Sequence, residues 1–269
     1  MRFAARIAAT ALAFAFVAEA RADTDVEPNA DALFALASEQ AFGASAVEVW
    51  KSEWDEREIT FGVARRWESG RVALVLRVFS PHNYDPLSFL LRPRASGMPS
   101  IEYYRSPKLF PIGPKSGRTL DVQVASQLER LPFAPGLPAL ADLWPARAAD
   151  YSLARLPDAE VAGRPCRVLE QRLRRADGAY DRIVTSLARD SHLALETRYL
   201  RGEKWVRRVT VLPSDVDRTG SRPVARRRSV ERPGEATQVL TLERFSLDPV
   251  FPDQLFTSSN LRTGRFPSY

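Results

Sequence analysis

Apolar and polar positions along this chain follow two periods. From Asn29 to Phe42, Leu33, Leu36, Ala37 and Ala41 recur at helical spacing, which predicts a helix capped by Asn29 and stopped at Gly43. Beyond it the period shortens to two. Val47 to Trp54 is short and aromatic, and then Ile59, Phe61, Val63 and Trp67 alternate with Glu58, Thr60 and Arg66. That alternation predicts a sheet with one covered and one wetter face. Arg71 to Phe79, with Val72, Leu74, Leu76 and Val78, reads as a central strand. Leu87, Phe89 and Leu91 give another, followed by Ile101 and Tyr103. Asp55-Glu56, Ser69-Gly70, Ser80-Pro81-His82-Asn83 and Ala95-Ser96-Gly97 supply the turns between them. Such short connections leave no room for crossover helices, so the strands are expected to be antiparallel.

Between Pro107 and Ala149 the rhythm breaks at Pro107, Pro111, Pro114, Pro132, Pro135, Pro138 and Pro145. Val122 to Leu131 and Ala139 to Ala149 are candidates for short helices or apolar loops. Leu128, Leu131, Phe133, Leu137, Leu140, Leu143 and Trp144 are too apolar for a solvated linker, so a proline-rich flap lying against the sheet is expected. Strands resume at Pro165–Leu173, Tyr180–Arg189, Leu193–Leu200, Trp205–Leu212, Pro223–Val230 and Gln238–Leu247. Arg175-Ala176-Asp177-Gly178 and Arg201-Gly202-Glu203-Lys204 have hairpin composition. About eleven strands with few helices point to one mainly β domain, a strongly curved antiparallel sheet, in preference to two small domains split near Ala149.

The first residues follow neither period. Arg2 and Arg6 precede an apolar run from Ile7 to Ala18, and Ala20-Arg21-Ala22 precedes Asp23. A basic head, an apolar middle and small residues before a cut describe a cleavable secretory signal over 1–22, leaving a single domain over 23–269. The run is shorter than the about 20 apolar residues of a membrane span. The chain carries a net charge of +6, and losing Arg2, Arg6 and Arg21 against Glu19 lowers it by two. That surplus suits solubility and weak attraction to anionic membranes. Cys166 is the single cysteine, so no internal disulfide can form, and it is expected as a small buried hydrophobe.

Candidate chemistry is thin. The two histidines, His82 and His192, fall in turn sequences. No Gly-x-Ser-x-Gly elbow, His-Glu-x-x-His helix or Cys/His cluster with metal-ligand spacing is present. Gly113-Pro114-Lys115-Ser116-Gly117 lacks the spacing of a phosphate loop, and the carboxylates at Asp55-Glu56, Asp158-Glu160 and Asp215-Asp217 lie at turns or strand ends. Neither catalysis nor a cofactor or metal is expected. Arg226-Arg227-Arg228 has no interleaved aromatics to stack bases, which argues against nucleic acid. On an alternating strand Arg226 and Arg228 share one face. A sheet this broad also carries more apolar surface than one or two helices can cover. A hollow beneath the flap could accept acyl chains, each buried methylene contributing about 0.8 kcal/mol.

Four stretches carry a family resemblance. Glu160-Val161-Ala162-Gly163-Arg164-Pro165-Cys166-Arg167-Val168-Leu169-Glu170 is similar to a strand-turn-strand around Gly-x-x-Cys in the outer-membrane lipoprotein-sorting protein family. The likeness continues through Arg189 to Tyr199 and closes at Leu247-Asp248-Pro249 and Phe251 to Thr257; Leu87 to Arg94 resembles an earlier strand of that family. Where the family carries a Gly-Ser-Asp-Phe-like stretch, this chain reads Leu137 to Pro145. The resemblance implies a LolA-like curved half-barrel with an apolar cavity, and a periplasmic carrier or binding protein for a lipid or lipidated protein. Leu74, Leu76, Phe89, Leu91, Tyr103 and Trp144 are the expected cavity wall, and Arg226 and Arg228 the expected contacts for head groups or a partner. The partners implied are a lipid or acylated protein, an inner-membrane transporter complex and transient membrane contact. The alternative is a non-transport accessory or scaffold protein of an envelope export complex, with the same fold filled by its own side chains. Connected apolar space of roughly 300 Å³ or more favours the carrier. An enzyme would instead need His82 or His192 beside a carboxylate or Cys166 in a cleft.

Overall fold

The computed structural model describes residues 27–68, 71–81, 87–94, 99–105, 119–121, 136–174, 180–219, 222–263 and 265–267. The expected signal over 1–22, His82, and 106–118 and 122–135 of the proline-rich stretch lie outside the described residues.

Helix α1 (Ala30–Phe42) starts and stops where capping chemistry places it. The Asn29 side chain accepts a hydrogen bond from the Ala32 amide at 2.9 Å, and the Gly43 amide donates to the Glu39 carbonyl. Leu33 and Phe42 are buried, while Leu36 faces outward. The N-terminal strands are β1 (Ala46–Trp54), β2 (Arg57–Glu68), β3 (Arg71–Ser80), β4 (Leu87–Pro93), β5 (Pro99–Arg105) and β6 (Thr119–Asp121). A short helix α2 (Leu140–Leu143) follows. The next strands are β7 (Tyr151–Val161), β8 (Arg164–Leu173), β9 (Arg182–Ala188), β10 (Ala194–Arg201), β11 (Lys204–Thr210), β12 (Val216–Thr219), β13 (Arg222–Ala225), β14 (Arg227–Glu231) and β15 (Gln238–Leu247), before helix α3 (Ser258–Thr263). Two tight turns take positive φ at both central residues, Asp55-Glu56 between β1 and β2 and Ala162-Gly163 between β7 and β8. That geometry matches the right-handed twist of the strands it joins.

Among the described residues thirteen strands form one antiparallel sheet in the order β6-β5-β4-β3-β2-β1-β15-β14-β11-β10-β9-β8-β7, and β12 and β13 form a separate ribbon. Two meanders are joined where the last strand pairs with the first, Val47 opposite Ser246 and Ser52 opposite Leu240. The mostly β architecture with few helices agrees with the alternation in the sequence. The strongly curved half-barrel does not. The sheet is open, neither curled nor closed, with β6 and β7 as its edges. Both free edges are blunted against further pairing: β6 is three residues long, and β7, though well paired with β8, carries Pro157 next to an irregularity between Leu156 and Ala159.

The excess apolar surface is instead covered on both faces. On one face Ile59, Phe61, Val72, Leu74, Leu76, Phe89, Leu91 and Tyr103 join Leu137, Leu140, Leu143 and Trp144 in the main core. On the other, Val47, Ala64, Val75 and Leu90 are covered by Leu255, Phe256 and Leu261 of the C-terminal segment. Strand β4 touches both clusters and is buried at five successive positions, the mark of a strand covered on both sides.

Candidate functional site: a covered cavity on the sheet

On the face of the main core the sheet and its cover line a partly open cavity of about 280 Å³. Its floor comes from alternate residues of neighbouring strands: Trp50, Phe61, Leu169, Ile183, Tyr199, Val209, Val230 and Leu240. Its roof comes from Phe34, Ala37 and Phe42 of α1 and from Pro138 to Ala146 around α2. The volume lies just below the roughly 300–1,000 Å³ of ligand pockets, and so just short of the roughly 300 Å³ that favours a carrier.

The described part of the proline-rich stretch is fastened over this space. At Gly136 φ is +85°, and a Cβ there would collide with the Trp54 ring. Only glycine fits so close an approach in that conformation. The buried Gln238 amide donates to the Gly136 carbonyl at 2.6 Å and to Ser52 Oγ at 2.9 Å. On α2, the Asp142 carboxylate accepts from the Arg207 guanidinium, and from the Tyr199 hydroxyl at 3.3 Å. The guanidinium carbon stands 4.1 Å from the Tyr199 ring centroid. Arg207 is 1% exposed, so this ion pair sits in a medium that screens it little.

Tyrosines line the neighbouring wall. Tyr180 and Tyr199 meet edge to face with centroids 5.0 Å apart. Burial, against an opposing hydrogen bond with Tyr180, pushes the Tyr151 hydroxyl pKa up to about 12. The Tyr151 phenol stays neutral at physiological pH.

Where α1 ends, the lining turns cationic. Arg65 on β2 donates to the Ala44 carbonyl at 3.4 Å and to Glu48 at 3.5 Å, and Glu48 also accepts from Trp50 Nε1 at 2.8 Å. Arg222 donates to the Glu39 and Gln40 carbonyls, a cation at the negative end of the helix dipole. Arg228 lies 4.9 Å over the Trp50 ring. Burial pulls the Arg65 pKa below its ordinary value, Glu48 opposes that, and Arg228 adds to it. Burial and then Arg65 do the same to Arg222.

The sequence-derived candidates separate. Leu74, Leu76, Phe89 and Leu91 are 0% exposed and Tyr103 is 1% exposed, all within the solid core. Trp144 lines the cavity. Arg226 sits at the break between β13 and β14, its Nε 3.0 Å from Asp217, while Arg228 faces the cavity. The strand break therefore parts two arginines expected on one face. Arg65, Glu48 and Arg222 were not singled out from the sequence. Arg65 was visible there as an arginine in the inward phase of Phe61, Val63 and Trp67.

The described residues assemble no catalytic constellation. Cys166 is buried among Ala188, Leu195, Val211 and Ala225, and burial pushes its thiol pKa up against a backbone hydrogen bond at Val161. His192 lines the cavity from a left-handed turn conformation at φ 55°. Burial and then Arg167 lower its pKa, with Asp190 opposing, so the ring is neutral at pH 7. Among the described residues no group of three or more His, Cys, Asp or Glu is placed to hold a metal, and no helix is long and apolar enough to cross a membrane.

A lowered folded-state pKa means that the unfolded chain binds the proton more tightly. The contribution of His192 to stability is therefore complete above about pH 6.5 and is lost as pH falls through the folded value. The expected result is a His192 imidazole titration by NMR with a midpoint below that of the unfolded chain; an equal or higher midpoint would contradict the placement.

No family model matches the chain, and no curated protein matches it. Solved structures do. A domain from Vibrio parahaemolyticus, named for outer membrane lipoprotein sorting, aligns with TM-score 0.70 at 15% identity over 87% of this chain and 100% of its own. A DUF1329 family protein from Desulfovibrio piger aligns with TM-score 0.68 at 15% identity over 87% and 99%. A LolA superfamily protein from Nitrosomonas europaea aligns with TM-score 0.62 at 14% identity over 86% and 99%. At these identities the likeness is one of fold, and the fold of this chain is LolA-like.

Proposed function

We propose that this protein is a non-catalytic binding protein or carrier of the cell envelope, acting in the periplasm, which holds an acyl chain of a lipid or lipidated protein between its sheet and the cover formed by α1 and residues 136–150. The observation that carries this reading is the 280 Å³ cavity walled by Phe34, Phe42, Trp50, Phe61, Trp144, Ile183 and Tyr199, on a chain with the LolA-like fold. The apolar run after Arg2 and Arg6, read as an export signal, supports the location. A membrane or a membrane transporter complex is the natural donor and acceptor for such a cargo.

Size sets the energetics. At roughly 30 Å³ for a group the size of a water molecule, the space takes about nine chain carbons. Their burial contributes about 7 kcal/mol. Association costs at least about 4 kcal/mol, so the chain alone leaves about 3 kcal/mol, weaker than millimolar binding. A working carrier of this size needs a further contribution from the head of its ligand.

Native mass spectrometry of protein released gently from the envelope tests the reading. A stoichiometric lipid or acyl adduct is the expected result. Protein that leaves the envelope bare and takes up no offered chain would overturn it in favour of a scaffold role.

A further inference from the structure

We infer that the end of the cavity lined by Arg65, Arg222 and Arg228 is a subsite for the anionic head of a single-chain amphiphile, a carboxylate or a phosphate, whose tail lies along the apolar walls. This rests on the carrier reading and adds the class of ligand to it.

The argument is one of charge and partners. Three guanidinium groups line this end of the cavity beside one lining carboxylate, Glu48, while Glu39 and Asp248 act on Arg222 from outside the lining. Glu48 is already engaged, by Trp50 Nε1 at 2.8 Å and Arg65 at 3.5 Å. The acceptors of Arg222 are uncharged carbonyls of α1. Arg228 is half-buried against the Trp50 ring and makes no ion pair with the described residues. The other charged groups of the lining are matched: Asp142 by Arg207, and Asp150 by Arg147 at 3.7 Å. Holding like charges together beside an apolar space is unfavourable; burial first, and the neighbouring guanidinium as a smaller cause, lowers the pKa of both Arg65 and Arg222. An anion placed among them relieves that repulsion and gains charge-assisted hydrogen bonds in a water-poor setting. The tail continues past Trp50 and Phe61 toward Tyr199 and Ile183, so head and chain are read by adjoining parts of one cavity.

The test uses three ten-carbon probes below their aggregation limits: decanoate, decyl phosphate and decanol. Isothermal titration of the purified protein is expected to show both anions binding about tenfold or more tighter than decanol. R228Q should weaken the anions about tenfold and leave decanol unchanged. R228K, which keeps the charge, should retain most of the affinity and guards against a loss caused by misfolding. A preference for decyl phosphate or for decanoate names the head as phosphate or carboxylate and upholds the inference either way. Decanol binding as tightly as the anions, or R228Q weakening all three alike, would overturn the head subsite and leave the carrier reading standing. Failure of all three probes to bind would remove the carrier reading with it.

Discussion

Replacing Asp142 by alanine is expected to destabilise the fold by about 3 to 5 kcal/mol, more than any other change to the cover. The Arg207 guanidinium is drawn below the surface by β11 and stacked on Tyr199, and Asp142 is the carboxylate brought to it by α2. Without that carboxylate the guanidinium loses the ion pair that α2 brings to it, and part of its desolvation is no longer offset. The double change D142A/R207M removes both charges and should return most of the loss, because a matched pair and an apolar pair of similar volume differ little. Urea unfolding of the two single variants and the double variant measures this. Single-variant losses below about 1 kcal/mol, or losses that simply add in the double variant, would show that the pair does not fasten the cover.

Phe89→Ala is expected to cost about as much, about 3 to 5 kcal/mol, yet to leave ligand affinity of the folded protein unchanged. Phe89 is fully buried between strands, with the Tyr103 ring centroid 6.5 Å away, and it does not line the cavity. Trp144→Ala should behave in the opposite way, altering chain binding because its ring forms part of the roof. Denaturation paired with decanoate titration separates the two effects. A Phe89→Ala protein that stays folded but loses binding would place the chain in the buried core around Phe89.

That contrast marks where sequence reasoning reached. Asn29, Gly43 and the run between them were enough to place α1, and period-two alternation placed most of the strands. Strand β7 escaped because Ser152, Arg155, Pro157 and Asp158 make an exposed edge with no apolar alternation. The pairing of β1 with β15 joins opposite ends of the chain, and no local pattern encodes it. Curvature was equally silent, since alternation says which face a residue takes and nothing about how the sheet bends. The C-terminal cover of Leu255, Phe256 and Leu261 takes up part of the apolar surface that had argued for a hollow beneath the flap.

The site was legible by composition and illegible by position. Leu74 and Phe61 are equally apolar and equally buried, yet only Phe61 lines the cavity; interiors are close-packed by default, and a void depends on what the opposite layer fails to fill. The arginine run was visible, but the strand break at Arg226 that sends one side chain to Asp217 and leaves Arg228 to the cavity was not.

A crystal structure with decanoate brominated at its terminal carbon tests the central claim most directly. The account predicts one anomalous bromine peak between the sheet and its cover, near Tyr199 and Ile183, with the carboxylate toward Arg65, Arg222 and Arg228. Bromine found only on the outer surface of the sheet, with the covered space closed by the protein's own side chains, would contradict it.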